Sequence, residues 1–267
     1  MEDNILNALS ICLHVPEGTL EENFTIILPT FNESGNIVKM VGCLRSFHPG
    51  ASILIMDDDS PDGTGSKVTE SYGDDGHVRI VIRQNTPKGL SASVIDGIEL
   101  TTTKFFIVMD SDFQHPPQTV PLLMEKMDGG ADVCVGVRVD RNALGAKRKL
   151  FSQGAELLSR SYLWFIGKQS SRDNMSGLFA GKTEMVSKCL QDNRKELEII
   201  GFKVLFDIMK FIPSDARLEE ITFNFAKREA GESKIGSGTI ASILRQCGKP
   251  GRYMARKYDF FNERLKK

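Results

Sequence analysis

Lys104-Phe105-Phe106-Ile107-Val108-Met109-Asp110-Ser111-Asp112-Phe113-Gln114 is the stretch on which the reading of this chain turns. An apolar run of strand length ends in two carboxylates one residue apart, and an amide follows at the next alternate position. A buried strand delivering polar groups to the edge of a sheet has this pattern. Hard divalent cations prefer such oxygens, above all where a diphosphate supplies the remaining ligands. Taken alone, an Asp-x-Asp is more commonly two solvated loop aspartates than a metal site, so the surrounding sequence has to decide.

Outward from it, short apolar runs at 24–28, 52–56, 78–82 and 133–137 alternate with amphipathic segments at 36–47, 63–72, 90–100 and 118–127. This alternation predicts an α/β fold with a mainly parallel central sheet and helices on both faces. In such sheets ligands bind beyond the carboxyl ends of the strands. Three of those ends carry polar clusters, at 29–33, 57–62 and 110–114, and their convergence points to a nucleotide site. Further on, 147–165 reads as a basic amphipathic helix, 173–180 as a loop running into a short strand, 201–212 as a helix and 218–225 as a strand. Residues 231–238 are glycine-rich and basic, and 239–267 form a basic, partly amphipathic tail. No linker separates these parts, so one domain is expected.

Composition narrows the function. A chain of 267 residues that is 40% hydrophobic can bury a substantial core. A net charge of -1 argues against nucleic-acid binding, which calls for a basic surface excess. The five cysteines, Cys12, Cys43, Cys134, Cys189 and Cys247, show no Cys-x-x-Cys spacing and read as reduced thiols. No stretch approaches the roughly 20 apolar residues that span a bilayer. The acidic start at Glu2 and Asp3 is unlike a secretory signal. A soluble or peripheral protein is expected.

Five motifs, in order, carry a resemblance. They are Leu28-Pro29-Thr30-Phe31-Asn32-Glu33, Asp57-Asp58-Asp59-Ser60-Pro61-Asp62-Gly63-Thr64, Met109-Asp110-Ser111-Asp112-Phe113-Gln114-His115-Pro116-Pro117, Met175-Ser176-Gly177-Leu178-Phe179 and Arg228-Glu229-Ala230-Gly231-Glu232-Ser233-Lys234. Over about residues 24–240 the chain resembles the dolichyl-phosphate mannose synthases and the wider polyprenyl-phosphate sugar synthases. These are inverting transferases with the GT-A nucleotide-diphosphosugar fold. The resemblance implies an N-terminal extension (1–23), a GT-A domain (24–240) whose C-terminal part faces the acceptor, and a basic tail (241–267) facing a membrane or partner. The chain departs from the family pattern at four places. Asp59 replaces a glycine, Ser111 an alanine and Asn174 a proline, and Lys88-Gly89-Leu90-Ser91 stands for a Gly-Leu-Gly stretch.

The resemblance assigns roles residue by residue. Asp110, Asp112 and Gln114 would hold Mg²⁺ or Mn²⁺. Pro29, Phe31, Glu33, Asp58, Asp110, Ser111, Asp112, Arg228 and Lys234 would bind the nucleotide sugar, GDP-mannose being favoured, with Asp58 reading the base and Asp57 holding the loop. Asn32-Glu33-Ser34 also fits a simple helix cap, and Asp62 fits a turn as well as a ligand contact. Arg138, Arg148 and Ser152 would bind the phosphate of a polyprenyl or dolichyl acceptor, since guanidinium groups grip phosphate oxygens in a fork. Asp112, Arg138 and Arg148 form the expected catalytic set. His115, followed by two prolines, reads as a fixed loop element and stays outside it. The segment around Gly231 would close over the diphosphate.

The acceptor also implies a membrane surface and allows a membrane-anchored partner subunit. The expected location is the cytosolic face of a membrane, the endoplasmic reticulum in a eukaryote or the plasma membrane in a prokaryote. Leu157, Leu158 and Tyr162-Leu163-Trp164-Phe165-Ile166 fit an interfacial helix beside Arg148, Lys149 and Arg160, and equally a helix packed on the core. The same metal and phosphate residues would serve a UDP-sugar donor, or a nucleotide-sugar-binding subunit without catalysis.

Overall fold

In the sheet core, odd and even residues part company. Phe24, Ile26 and Leu28 join one apolar cluster with Ile53 and Ile55, while Ile27 joins another with Leu54 and Met56. Side chains alternate across a strand, so a sheet whose successive residues feed two cores is covered on both faces. The computed structural model describes residues 21–139, 146–199, 203–224 and 238–265. Its strands are β1 (Phe24–Thr30), β2 (Ser52–Asp57), β3 (Val78–Ile82), β4 (Phe105–Val108), β5 (Val133–Arg138), β6 (Phe179–Lys182) and β7 (Leu218–Phe223). Among the described residues they form one sheet in the order β3-β2-β1-β4-β6-β5-β7.

Helices α1 (Ile37–Phe47), α2 (Thr64–Tyr72) and α4 (Val120–Asp128) send Ile37, Met40, Val41, Leu44, Val68, Leu123 and Met127 into the first cluster. Helices α3 (Leu90–Leu100), α6 (Thr183–Asp192) and α7 (Val204–Phe211) supply the second through Val94, Ile98, Val186, Leu190 and Phe206. Full burial of such side chains contributes about 1.5–3 kcal/mol each.

The parallel part of the sheet forms as the sequence predicts. One strand is different: β6 runs antiparallel to both β4 and β5. Because it reverses between two strands that share a direction, its N-terminal end lies at their carboxyl edge. The preceding loop, 173–178, is therefore delivered to that edge.

Pro29 does not end its strand as its type suggests; β1 continues to Thr30 in register with β2. The reason lies in the neighbouring ladder. The β1–β4 pairing stops at Ile27 and Val108, with Met109 N–H donating to the Ile27 carbonyl. Alternation turns the next such position, Pro29, toward β4 beyond its last pair, where a missing N–H costs nothing.

A long helix, α5 (Ala146–Phe165), and a C-terminal pair, α8 (Gly238–Gln246) and α9 (Gly248–Leu265), complete the fold. Helix α8 runs through residue 240, the expected domain limit, and Ile243 and Cys247 belong to the second core. A buried polar knot fastens it. Gln246 Nε2 donates to Asp207 Oδ2 at 2.9 Å and to the Lys203 carbonyl at 3.0 Å, while Lys210 Nζ donates to the Gln246 carbonyl. Cys43, Cys134, Cys189 and Cys247 are free thiols, and burial pushes Cys134 up to about 12 and Cys247 to about 11. No described helix is long and apolar enough to cross a membrane.

Candidate active site

The site follows from strand direction. β1, β2, β3 and β4 are mutually parallel, and β5 and β7 share their direction through the antiparallel β6. Their carboxyl ends therefore line one edge, bearing Phe31, Asp58, Arg83, Asp110 and Arg138. β1 has its sequence neighbour β2 on one side and β4 on the other, so the edge opens between β1 and β4, at the topological switch point.

Asp110-Ser111-Asp112 leaves β4 at this opening. Phe113 adopts φ 61°, a left-handed turn that costs a residue other than glycine roughly 1–2 kcal/mol. The turn folds Gln114 back so that its N–H donates to Asp112 Oδ1 at 3.0 Å. The expected metal residues are thus gathered into a few residues of chain. Among the described residues no three His, Cys, Asp or Glu side chains form a cage by themselves. A Mg²⁺-type ion taking its other ligands from substrate phosphates and water needs only one or two carboxylates, so the donor set fits such an ion.

His115 is the fixed element of this loop. Its Nδ1 accepts the Asp110 N–H at 2.9 Å, which leaves the proton of the neutral ring on Nε2, and its ring stacks edge-on to Phe223. Burial pulls its pKa down to about 4, against the raising effect of Asp112. Facing it, Gly177 packs closely: a Cβ there would lie a tight 3.1 Å from His115 Cε1 and in ordinary contact, 3.4 Å, with Asp110 Oδ2.

Arg138 ends β5, and it does not stand alone. Asp173, fully buried, receives Nε at 2.7 Å and Nη2 at 2.9 Å in a bidentate pair. Burial alone would lower the Arg138 pKa, but the hydrogen bonds and charge of Asp173 outweigh it and raise it. Lys203 adds a second cation. Its Nζ donates to the Met175 carbonyl at 2.9 Å, and burial, together with Arg138, pulls its pKa down to about 8. The loop before β6 thus carries an anchor for each cation. Asn174, standing where the resemblance expects proline, ties that loop to α5 by donating from Nδ2 to Glu156 Oε1 at 3.2 Å and to Ser159 Oγ at 3.3 Å.

The loops after β1 and β2 form a linked rim. Asn32 N–H donates to Ser60 Oγ, and Ser34 N–H donates to Asp62 Oδ2. Asp57 accepts from the Ser60 N–H and hydroxyl, holding the loop as expected. Asp62 also accepts from the Thr64 N–H and hydroxyl. Burial pushes its carboxyl up, yet these hydrogen bonds prevail and hold it at about 2. Glu33 Oε2 accepts from Asn36 Nδ2 at 3.0 Å, and the Phe31 ring is exposed. Asp58 faces inward: it accepts from Arg83, from Ser93 Oγ at 2.9 Å and from the Gly89 N–H at 2.7 Å. Ser111 is buried between Asp110 and Asp112 in sequence, and Pro29 is buried within β1.

Arg148 and Ser152 fall in the first two turns of α5, whose side chains lie outside the described residues, as do Arg228 and Lys234 altogether. Sequence reading singles out neither Asp173, Arg83 nor Lys203. Each is an ordinary charged residue in sequence, and its role comes from a partner that only the folded chain supplies.

A protein-family model for glycosyl transferase family 2 matches residues 25–190. The chain belongs to this family. It is a glycosyltransferase. It is 35% identical to the dolichol-phosphate mannosyltransferase of Pyrococcus furiosus over 83% of its own length, and it spans 61% of that relative. To the dolichol-phosphate mannosyltransferase of Mycosarcoma maydis it is 30% identical, over 83% of this chain and 76% of the other. Its fold is similar to that of glucosyl-3-phosphoglycerate synthase from Mycobacterium tuberculosis, with a TM-score of 0.63 at 20% identity over 89% and 87% of the two chains.

Proposed function

We propose that this family 2 glycosyltransferase moves a mannosyl residue from GDP-mannose to the phosphate of a polyprenyl lipid such as dolichyl phosphate, inverting the anomeric centre. The supporting observation is the pairing, on one sheet edge, of a carboxylate loop with an anchored cation pair, Arg138 and Lys203, beside the opening that a donor would fill. The similarity to two dolichol-phosphate mannosyltransferases points the same way.

In this reading Asp110, Asp112 and Gln114 would hold Mg²⁺ or Mn²⁺, which when bound would supply positive charge to neutralise the departing nucleoside diphosphate. Pro29, Phe31, Glu33, Asp58 and Ser111 shape the donor pocket, and Arg228 and Lys234 cover the diphosphate. Arg138, with Arg148 and Ser152, orients the acceptor phosphate. A phosphate monoester is anionic near neutral pH and needs no strong base, so His115 can stay neutral and structural. One phosphate oxygen attacks the anomeric carbon from the side opposite the leaving group. Catalysis is positioning plus electrostatics.

The membrane contact falls on one face of α5. Leu158, Tyr162, Leu163 and Ile166 pack against the second core, while Leu157, Trp164 and Phe165 stand 68%, 81% and 80% exposed. Tyr253 and Met254 are exposed on α9, close to Arg252, Arg256 and Lys257. Aromatic rings beside basic side chains suit the headgroup layer of a bilayer, on the cytosolic side, with or without a membrane-anchored partner subunit.

The test is purified protein with Mn²⁺, dolichyl phosphate and, in parallel, labelled GDP-mannose, UDP-glucose and UDP-N-acetylglucosamine. Label should pass to the lipid phase from GDP-mannose alone and disappear with Asp112→Ala. Transfer from a UDP-sugar instead would overturn the donor, and no lipid product from any donor, even with added membranes, would overturn the acceptor.

A further inference from the structure

Two departures from the family pattern, Asp59 for glycine and Lys88-Gly89-Leu90-Ser91 for Gly-Leu-Gly, meet in space. Lys88 Nζ lies 3.3 Å from Asp59 Oδ2, and Gln84 Nε2 reaches Asp59 Oδ1 at 3.5 Å. Asp59 sits at φ 57°, the left-handed region where glycine rests at no cost and aspartate at little. The loop thus keeps a glycine-like backbone and gains a carboxylate. That carboxylate is 46% exposed, whereas Asp58 beside it is turned inward onto Arg83, Ser93 and Gly89. The two aspartates have divided the work: Asp58 ties the end of β2 to the loop after β3, and Asp59 faces outward on the donor rim. The exposed Phe31 ring belongs to the same rim, because the neighbouring Asn32 N–H bonds to Ser60 Oγ.

We propose that Asp59, steadied by Lys88, recognises the base of the donor as guanine. Guanine presents two donors side by side, N1–H and the 2-amino group, and one carboxylate accepts both in a fork. Uracil offers a single N–H between two carbonyls, which a carboxylate meets less well. Lys88, free to swing from the carboxylate to the base, supplies a donor for O6. The inference rests on the guanosine diphosphate donor proposed above and adds the residue that reads it.

The experiment is calorimetric binding of GDP, IDP and UDP, with Mn²⁺, to wild-type protein and to Asp59→Gly. IDP keeps N1–H and O6 but lacks the 2-amino group, so it removes one arm of the fork. Wild type should bind GDP roughly tenfold more tightly than IDP, the worth of about one charge-assisted hydrogen bond. In Asp59→Gly that ratio should fall to near one while GDP still binds through its diphosphate. Glycine is at home at this φ, so the variant folds. Asp59→Asn, which keeps one acceptor oxygen, should fall between. A GDP-to-IDP ratio that is the same in Asp59→Gly as in wild type sinks the role of Asp59 alone, provided wild type prefers GDP to UDP. Tighter binding of UDP than GDP by wild type sinks the guanosine donor and this inference with it.

Discussion

Asp173→Asn tests whether the loop before β6 exists to hold Arg138. The substitution keeps shape and one acceptor oxygen but removes the charge from a side chain with no solvent exposure, paired in a fork at 2.7 and 2.9 Å. Breaking a buried ion pair by removing one partner costs about 3–5 kcal/mol. The Arg138 side chain is 15% exposed and Asn retains one bond, so water and the amide recover about half, leaving ~1.5–2.5 kcal/mol. At ~2–4 °C per kcal/mol for a protein of this size, Tm should fall by about 3–10 °C. Activity should suffer more than stability, because a guanidinium displaced by ~1 Å costs about a hundredfold in a positioning mechanism. The assay is a double-mutant cycle with Arg138→Gln, reading thermal unfolding and lipid-phosphate kinetics in all four proteins. Since the two residues act through one contact, the double variant should be little worse than Arg138→Gln, with a coupling of at least ~1 kcal/mol. Additive losses, or an Asp173→Asn protein with unchanged Tm and unchanged KM for lipid phosphate, would refute the reasoning.

Gly177→Ala should lower kcat a few-fold with a small loss of stability, because its methyl crowds the His115 ring, which holds the Asp110 N–H; equal kcat would show the Asp110–Gln114 loop indifferent to that wall. Gly136→Ala places a Cβ 2.7 Å from Leu178 Cδ2 and should cost about 1–3 kcal/mol in denaturant unfolding. Asp62 has a folded pKa near 2, below the ordinary 3.8, so its stabilisation is complete above pH 3.8 and fades as pH falls toward 2. Unfolding curves of Asp62→Asn should therefore lie below wild type at neutral pH and converge with it in acid. Replacing Trp164 and Phe165 together by Ser should weaken sedimentation with anionic vesicles by about tenfold or more while leaving Tm unchanged, since both rings are solvent-exposed; unaltered sedimentation would move the membrane contact off this helix.

What the sequence made legible was local and apolar. The runs ending at Leu28, Met56 and Met109 announce their strands because a strand buried on both faces has to be apolar throughout. The polar residues that follow mark the edge for the same reason. The edge strand β3, with Arg79 and Ile82 exposed, is legible from its β-branched residues instead. Four-residue β6 is legible as a short strand after a loop, but neither its length nor its composition says that it will insert backwards between β4 and β5. Asp173 and Arg138 are 35 positions apart, and no periodicity joins them. Pro29 shows the limit of a local rule: its type says that the strand stops, and only the place where the β4 ladder ends makes it tolerable inside β1.

These failures share a cause that bears on function. Residues that contact ligand sit at strand ends and can be read one strand at a time, whereas residues that aim them come from whichever loop topology brings alongside. The antiparallel β6 is the device here. Its reversal carries 173–178 to the carboxyl edge of the sheet, where one short loop braces Arg138 through Asp173 and Lys203 through the Met175 carbonyl, and packs Gly177 closely against His115 of the carboxylate loop. A single loop that sets both the cation pair and the carboxylate loop fixes the distance between them, and a one-step displacement needs that distance fixed. Asn174 then matters for a reason its neighbours conceal. By tying this loop to Glu156 and Ser159 of α5, it makes the placement of both charges depend on the helix whose outer face meets the lipid surface in the function proposed.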